Sequence, residues 1–304
     1  MKKLVKIATL AIGGVVASTL VGAAVVSLGA SSRLSRKFDA HRMQLPLPSA
    51  SDTAAVARGK HLVTARYGCT SCHGANLGGG VMLDDPPVGS VLGPNLTAGQ
   101  GSRTSRYEMS DWDRIVRHGV KPDGTGALMP SEDFFKMSDA ELSDIVAYVR
   151  SVPGVDAEVP APRLGPVGKV LLVLGKLPIA AEREAARATT HAAAPPDTAD
   201  SVEFGAHLAA VCSTCHRENF AGGKIPFGPP DWPAAANLTR HATGLGAWSY
   251  EDFERAITQG TSKDGHRLRD PMAALTASAQ AMLPTERRAL WTYLQSLKPV
   301  ARND

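Results

Sequence analysis

Four cysteines in 304 residues leave room for two disulfides at most, and aromatic residues make up only 5% of the chain. There is no G-x-S-x-G, no P-loop, no dinucleotide fingerprint and no H-E-x-x-H. The common hydrolase, nucleotide-dependent and zinc-protease readings therefore have no support. Neither sign of charge is in large excess. The net charge is +4, the charges are scattered and no aromatic-basic patch occurs, so nothing argues for nucleic acid. No convincing alternating strand pattern is visible, which points to an all-α chain with long Gly/Pro loops.

The four cysteines all fall in two copies of one string. Cys69-Thr70-Ser71-Cys72-His73 returns as Cys212-Ser213-Thr214-Cys215-His216. Paired C-x-x-C is also zinc spacing, and two disulfides are arithmetically open. Neither explains a histidine directly after both pairs. C-x-x-C-H reads as covalent attachment of c-type haem, with Cys69, Cys72, Cys212 and Cys215 as thioether carriers. His73 and His216 are then the proximal iron ligands, and the cofactors are two covalently bound haem c.

The surrounding sequence repeats as well. Val56-Ala57-Arg58-Gly59-Lys60-His61-Leu62 is echoed by Val202-Glu203-Phe204-Gly205-Ala206-His207-Leu208, and Asn95-Leu96-Thr97 by Asn237-Leu238-Thr239. Trp112 aligns with Phe253, and Gly119 with Gly260. Each repeat of about 100 residues is small for an independent core, so a covalent haem supplies apolar volume that the aromatics do not. The organisation predicted is an N-terminal segment at 1–32, a tether at 33–53, a first domain at 54–152, a strap and linker at 153–199 and a second domain at 200–304.

Helices are predicted at 54–66 and 202–211, each leading into a haem motif. Ser110 and Ser249 are predicted N-caps for helices near 111–118 and 250–259. Ser138 and Glu141 form a predicted capping box for 139–151, and Pro284 opens the matching last helix.

Methionine is the usual partner of histidine on an electron-transfer haem. Met129 lies 56 residues after His73, and Met272 lies 56 residues after His216. That equal spacing selects them as distal ligands, while Met82, Met109 and Met137 read as core fillers. His118 and His266 are rival ligands on nearby loops, but neither recurs in the other repeat. His61 and His207 do recur and are expected to pack or hydrogen-bond near a haem edge.

Each repeat resembles a class I cytochrome c domain. The resemblance rests on the helix into C-x-x-C-H, on Gly93-Pro94-Asn95-Leu96, on the distal methionine and on the final helix, and covers roughly 54–152 and 200–298. It implies that the carbonyl of Pro94 accepts the proton of the His73 imidazole, with Pro94, Asn95 and Asn237 in the surroundings of the haems. The second repeat departs, having Ala236 in place of the proline. The tandem is similar to the membrane-associated cytochrome subunits of bacterial alcohol, gluconate and aldehyde dehydrogenase complexes, which typically have three haem motifs where this chain has two.

Lys2, Lys3 and Lys6 precede an apolar run of 24 residues from Ile7 to Ala30. A spanning helix needs about 20 residues and a signal-peptide core about 7–15. The run favours a retained anchor, with small residues at Val21-Gly22-Ala23-Ala24 leaving cleavage open. The expected location is the bacterial inner membrane with the haem domains facing the periplasm, or the periplasm if the segment is removed. The apolar stretch Gly168–Ile179 is too short to span. It is either a strap packed across both haem domains or a surface for a partner subunit or the membrane face. Residues 181–199 read as an Ala-rich flexible linker.

These features predict an electron carrier and not an enzyme. Its partners are a membrane or periplasmic dehydrogenase or quinol-oxidising complex, and a downstream cytochrome or terminal oxidase. The alternative is a di-haem peroxidase-like enzyme, which needs one labile sixth ligand. A haem-based sensor is a third reading, but no residues remain for an output domain.

Overall fold

The computed structural model describes residues 2–39, 45–184, 190–197, 201–225, 228 and 231–302. Parts of the tether and of the Ala-rich linker lie outside them. The chain opens with α1, Lys2–Ser35. From Thr9 to Ser35 this helix is long and apolar enough to cross a membrane. The first repeat follows as α2 (Thr53–His61), a π-helical turn (Leu62–Arg66), α3 (Thr70–His73), β1 (Gly80–Asp85), β2 (Gly89–Gly93), α4 (Met109–His118), a 3₁₀ turn (Ser131–Asp133) and α5 (Asp139–Ser151). The connection holds β3 (Arg163–Leu164), α6 (Pro166–Val173) and α7 (Ala181–Glu184). The second repeat is α8 (Val202–Ala209), a 3₁₀ turn (Ala210–Cys212), α9 (Ser213–His216), α10 (Tyr250–Gln259), a 3₁₀ turn (Ala273–Leu275), α11 (Thr276–Ala281) and α12 (Pro284–Ser296).

Helix starts follow local chemistry. Asp52 Oδ1 accepts from Ala54 N at 3.1 Å and Ala55 N at 3.0 Å to open α2. Ser138 and Glu141 form the predicted box at α5. Ser249 caps α10, with Asp252 N donating to Ser249 Oγ at 3.2 Å. The cap of α4 is Glu108, not Ser110, which sits inside the first turn. Glu108 N donates to Asp111 Oδ2 at 3.2 Å, so an acidic pair replaces the predicted serine.

In each repeat the first and last helices cross at a glycine. A Cβ on Gly59 would lie 1.9 Å from Asp144 O of α5, and one on Gly205 would lie 2.0 Å from Ala289 O of α12. No other residue permits that approach. One core gathers Val63, Leu77, Trp112, Leu142 and Val146. Its counterpart gathers Phe204, Leu208, Phe253, Leu290 and Leu294. Met109 and Met137 are buried in the first core as expected, whereas Met82 is 40% exposed on β1.

The fold is mostly helical, with one small sheet among the described residues that the sequence pattern does not disclose. β1 and β2 form an antiparallel hairpin, and β3 pairs with β2. β1 shows no regular alternation of buried and exposed positions, because close backbone packing on the haem motif holds the hairpin. A Cβ on Gly80 would meet Cys72 O at 2.7 Å.

Among the described residues, the apolar connection packs on α1 and the first repeat rather than across both repeats. Leu172, Ile179 and Ala181 form a third core with Ala30 of α1 and Val120 of the first repeat. Arg33 of α1 donates from Nε to Glu182 Oε1 at 2.9 Å and also reaches the carbonyl of Leu172. The connection therefore joins the foot of α1 to the first repeat.

Candidate haem sites and the interface between them

Both C-x-x-C-H strings form a single helical turn, α3 and α9. The four thiols are free of disulfides. Burial raises Cys69 and Cys212 to about 12 and Cys215 to about 11. Both histidines are buried. His73 Nδ1 lies 3.0 Å from the carbonyl of Pro94, and His216 Nδ1 lies 2.8 Å from that of Ala236. Burial lowers both imidazoles, against the effect of the carbonyl bonds. A neutral ring with its Nδ1 proton so engaged offers Nε2 to a metal. Two thiols and one such imidazole on a turn are the donor set that haem c requires, and the residues present fit it twice.

The loop presenting each carbonyl is fixed from beneath. Asn95 is fully buried. Its Nδ2 donates to Val155 O at 2.7 Å, and its Oδ1 accepts from Thr97 N at 2.9 Å and Thr97 Oγ1 at 2.8 Å. Asn237 makes the same set, with Val300 O at 2.8 Å and Thr239 N at 2.9 Å. Each asparagine thus ties the loop to the segment after the last helix of its repeat. This positions the carbonyl under the imidazole, so the alanine at 236 holds the same contact as the proline.

Met129 and Met272 occupy matching places. Each is half-buried and follows a β-bridge, Val120–Gly126 or Thr261–Arg267. Each enters a 3₁₀ turn, at Ser131–Asp133 or Ala273–Leu275. Ser131 Oγ donates to Ile115 O at 2.8 Å and fastens the first of these loops to α4.

The two sites are interlocked. The 3₁₀ turn after Met129 packs on the turn and helix that carry the second haem motif, while α11, after Met272, packs on the π-helical turn before the first. Asp133 of the first loop accepts from Thr214, inside the second motif. Burial raises Asp133 to about 7, with Thr214 working against it.

His61 and His207, expected to pack or hydrogen-bond, each bond a glutamate of the other repeat. His61 Nε2 lies 2.9 Å from Glu286 Oε2, and His207 Nε2 lies 2.9 Å from Glu141 Oε1. Arg66 donates to both carboxylates at 2.6 Å and covers the Phe204 ring at 5.3 Å. Burial alone would raise the two glutamates, but the bonds from His207 and Ser138 to Glu141, and from His61 and Arg66 to Glu286, outweigh it and bring each to about 2. Sequence reasoning missed Arg66 and both glutamates as interface groups. The available signal was that Glu141 and Glu286 sit at the same position of matched helices.

The rival ligands separate. His266 is exposed, at 80% of its side chain. His118, read as a loop histidine, is fully buried at the end of α4 against the rings of Phe135 and His191.

Comparison with known proteins agrees with this geometry. The cytochrome c family matches residues 56–153 and 202–298. The cytochrome c subunit of a quinone alcohol dehydrogenase from Gluconacetobacter polyoxogenes is 26% identical over 82% of this chain and 57% of its own length. Its counterpart from Gluconobacter oxydans is 25% identical over 82% of this chain and 56% of its length. The cytochrome c subunit of gluconate 2-dehydrogenase from Pantoea cypripedii is 24% identical over 81% of this chain and 60% of its length. The chain thus spans less than two thirds of each of these relatives. It belongs to the cytochrome c family. With two such domains it carries two covalently bound haem c groups.

Proposed function

We propose that this chain takes electrons from a dehydrogenase or quinol-oxidising partner and delivers them to a downstream cytochrome or terminal oxidase. Cys69 and Cys72, and Cys212 and Cys215, would hold the two haems. His73 with Met129, and His216 with Met272, would be the axial ligands. Pro94, Asn95 and Asn237 would act from behind the imidazoles. The working units would be residues 54–152 and 200–304. The observation that carries this reading is the duplicated contact of a buried motif histidine with a backbone carbonyl, at 3.0 Å and 2.8 Å. When bound, each haem supplies one-electron exchange between ferric and ferrous iron. The protein's part is to keep each imidazole oriented and neutral, to exclude water from it, and to lock the two sites together through Arg66.

An inner-membrane location with the haem domains on the periplasmic side is supported by α1, whose apolar side chains face outward. Lys2, Lys3 and Lys6 lie at its start, an asymmetry that favours an N-in orientation. Val167, Val170, Val173 and Leu174 are exposed around α6, which packs on α1. That apolar face is suited to the membrane boundary.

Carbon monoxide addition to the fully reduced holoprotein tests the reading. Two six-coordinate irons leave the visible spectrum unchanged. Prompt binding at one haem removes the methionine assigned there and turns the reading toward peroxidase-like chemistry.

A further inference from the structure

Away from both haem motifs, α4 and the segment 190–197 bring three ligand-type side chains to one point. Asp113 and His118 lie on α4 and are fully buried, and His191 arrives half-buried from the connection between the repeats. His191 Nε2 lies 3.3 Å from His118 Nε2, and His118 Nε2 lies 4.0 Å from Asp113 Oδ1. One ligand atom from each residue falls within 4.8 Å of those of the other two.

Two features distinguish this cluster from a chance contact. A tetrahedral zinc ion with Zn–N bonds of about 2.0–2.1 Å separates its nitrogens by about 3.3–3.4 Å, which matches the gap between the two histidines. Independently, Asp113 Oδ2 is buried with no hydrogen-bond partner among the described residues. An orphaned carboxylate oxygen is costly, and it calls for a proton or a cation. Asp113 Oδ1 is already engaged by Arg117 Nε at 2.7 Å, and Arg117 Nη1 is held by Asp139 Oδ1 at 2.8 Å. Two carboxylates against one guanidinium leave a net negative charge beside two imidazoles.

The backbone seats the connection at this point. Asp139 N donates to Ala192 O at 2.9 Å, and Ala140 N to Ala193 O at 3.0 Å. These are amides that the first turn of α5 leaves unpaired, so the chain directly after His191 is fastened to the start of α5.

We propose that Asp113, His118 and His191 bind one zinc-type divalent ion, which clips the connection between the repeats onto the first haem domain. Mixed imidazole and carboxylate donors suit zinc, and the fourth position is left to water. The ion would restrain the linker and takes no part in electron transfer.

The test uses the holoprotein, stripped with a chelator and then dialysed against micromolar zinc. Zinc and iron are counted together by elemental mass spectrometry, with two irons per chain as the internal standard. The expected result is one zinc per two irons. In His191→Ala, affinity should fall at least about tenfold with iron unchanged, since even outer-shell changes at zinc sites cost 10–100-fold. Asp113→Asn should weaken binding similarly. Zinc should also slow tryptic cleavage between residues 181 and 190 in the parent and not in His191→Ala. Absence of zinc from the parent, zinc retained undiminished by His191→Ala, or cleavage that ignores zinc would each overturn the proposal. The first outcome would leave the two rings in a direct hydrogen bond, and the second would place the ion at another histidine.

Discussion

His61 Nε2 sits 2.9 Å from Glu286 Oε2, and the same contact recurs with the repeats exchanged, between His207 and Glu141. The interface is therefore built twice from equivalent positions. Each glutamate also serves its own helix, Glu141 by accepting from Ser138 N at 2.9 Å and Glu286 by accepting from Leu283 N at 2.8 Å. The groups that start α5 and α12 are the groups that join the domains. Any change there couples helix integrity to the mutual placement of the haems.

Arg66 is the shared cation of this interface, with 9% of its side chain exposed against 3% and 2% for the glutamates. Arg66→Ala leaves two buried carboxylates facing each other and should cost about 3–5 kcal/mol. Chemical unfolding followed at the haem Soret band measures this. Adding Glu141→Gln and Glu286→Gln should recover most of the loss, and a triple variant as unstable as the single one would contradict the charge argument.

Acid should open the same interface. Glu141 and Glu286 sit at about 2, below their ordinary 4.5, because bonds from His207 and Ser138 to Glu141, and from His61 and Arg66 to Glu286, outweigh burial. A depressed carboxylate contributes stability above its unfolded value and loses it as pH falls through the folded one. Stability should decline between pH 4.5 and about 2. The double variant Glu141→Gln, Glu286→Gln should show a shallower decline, measured by thermal unfolding across that range.

Asp133 behaves in the opposite sense. Burial raises it from 3.8 to about 7, so its stabilising contribution is complete below 3.8 and is lost as pH rises through 7. It bonds Thr214 within the second haem motif. An ionised Asp133 favours ferric over ferrous iron, so the potential of the second haem should fall as pH rises through about 7. Redox titrations at pH 6, 7 and 8 check this, and Asp133→Asn should flatten the trend for that haem alone.

Gly59→Ala and Gly205→Ala place a methyl 1.9 Å and 2.0 Å from a facing backbone carbonyl. Neither carbonyl can swing aside as a side chain would, so each variant should lose about 1–3 kcal/mol or more. The midpoint of denaturation is the readout, with Gly175→Ala, where nothing lies within 4 Å but φ is +68°, as a milder comparison.

The haem motifs were legible because their chemistry is local. Cys69, Cys72 and His73 must lie on one turn, and five adjacent letters encode it. The helices at 139–151 and 250–259 were legible for the same reason, since a cap and a periodic face occupy neighbouring positions. The hairpin of β1 and β2 was not, because packing of Gly80 and Gly93 on the Cys72 carbonyl holds it and no alternation marks it.

By itself the sequence determined that two haems are attached, that the chain is helical and that its repeats are equivalent. Only the tertiary structure decided what the recurring histidines touch. His61 and Glu286 stand 225 positions apart, and His118 and His191 stand 73 apart. Periodicity and capping report on a few neighbouring residues, whereas these meetings depend on how whole repeats dock. Docking is set by the summed burial and charge of surfaces that no local pattern records.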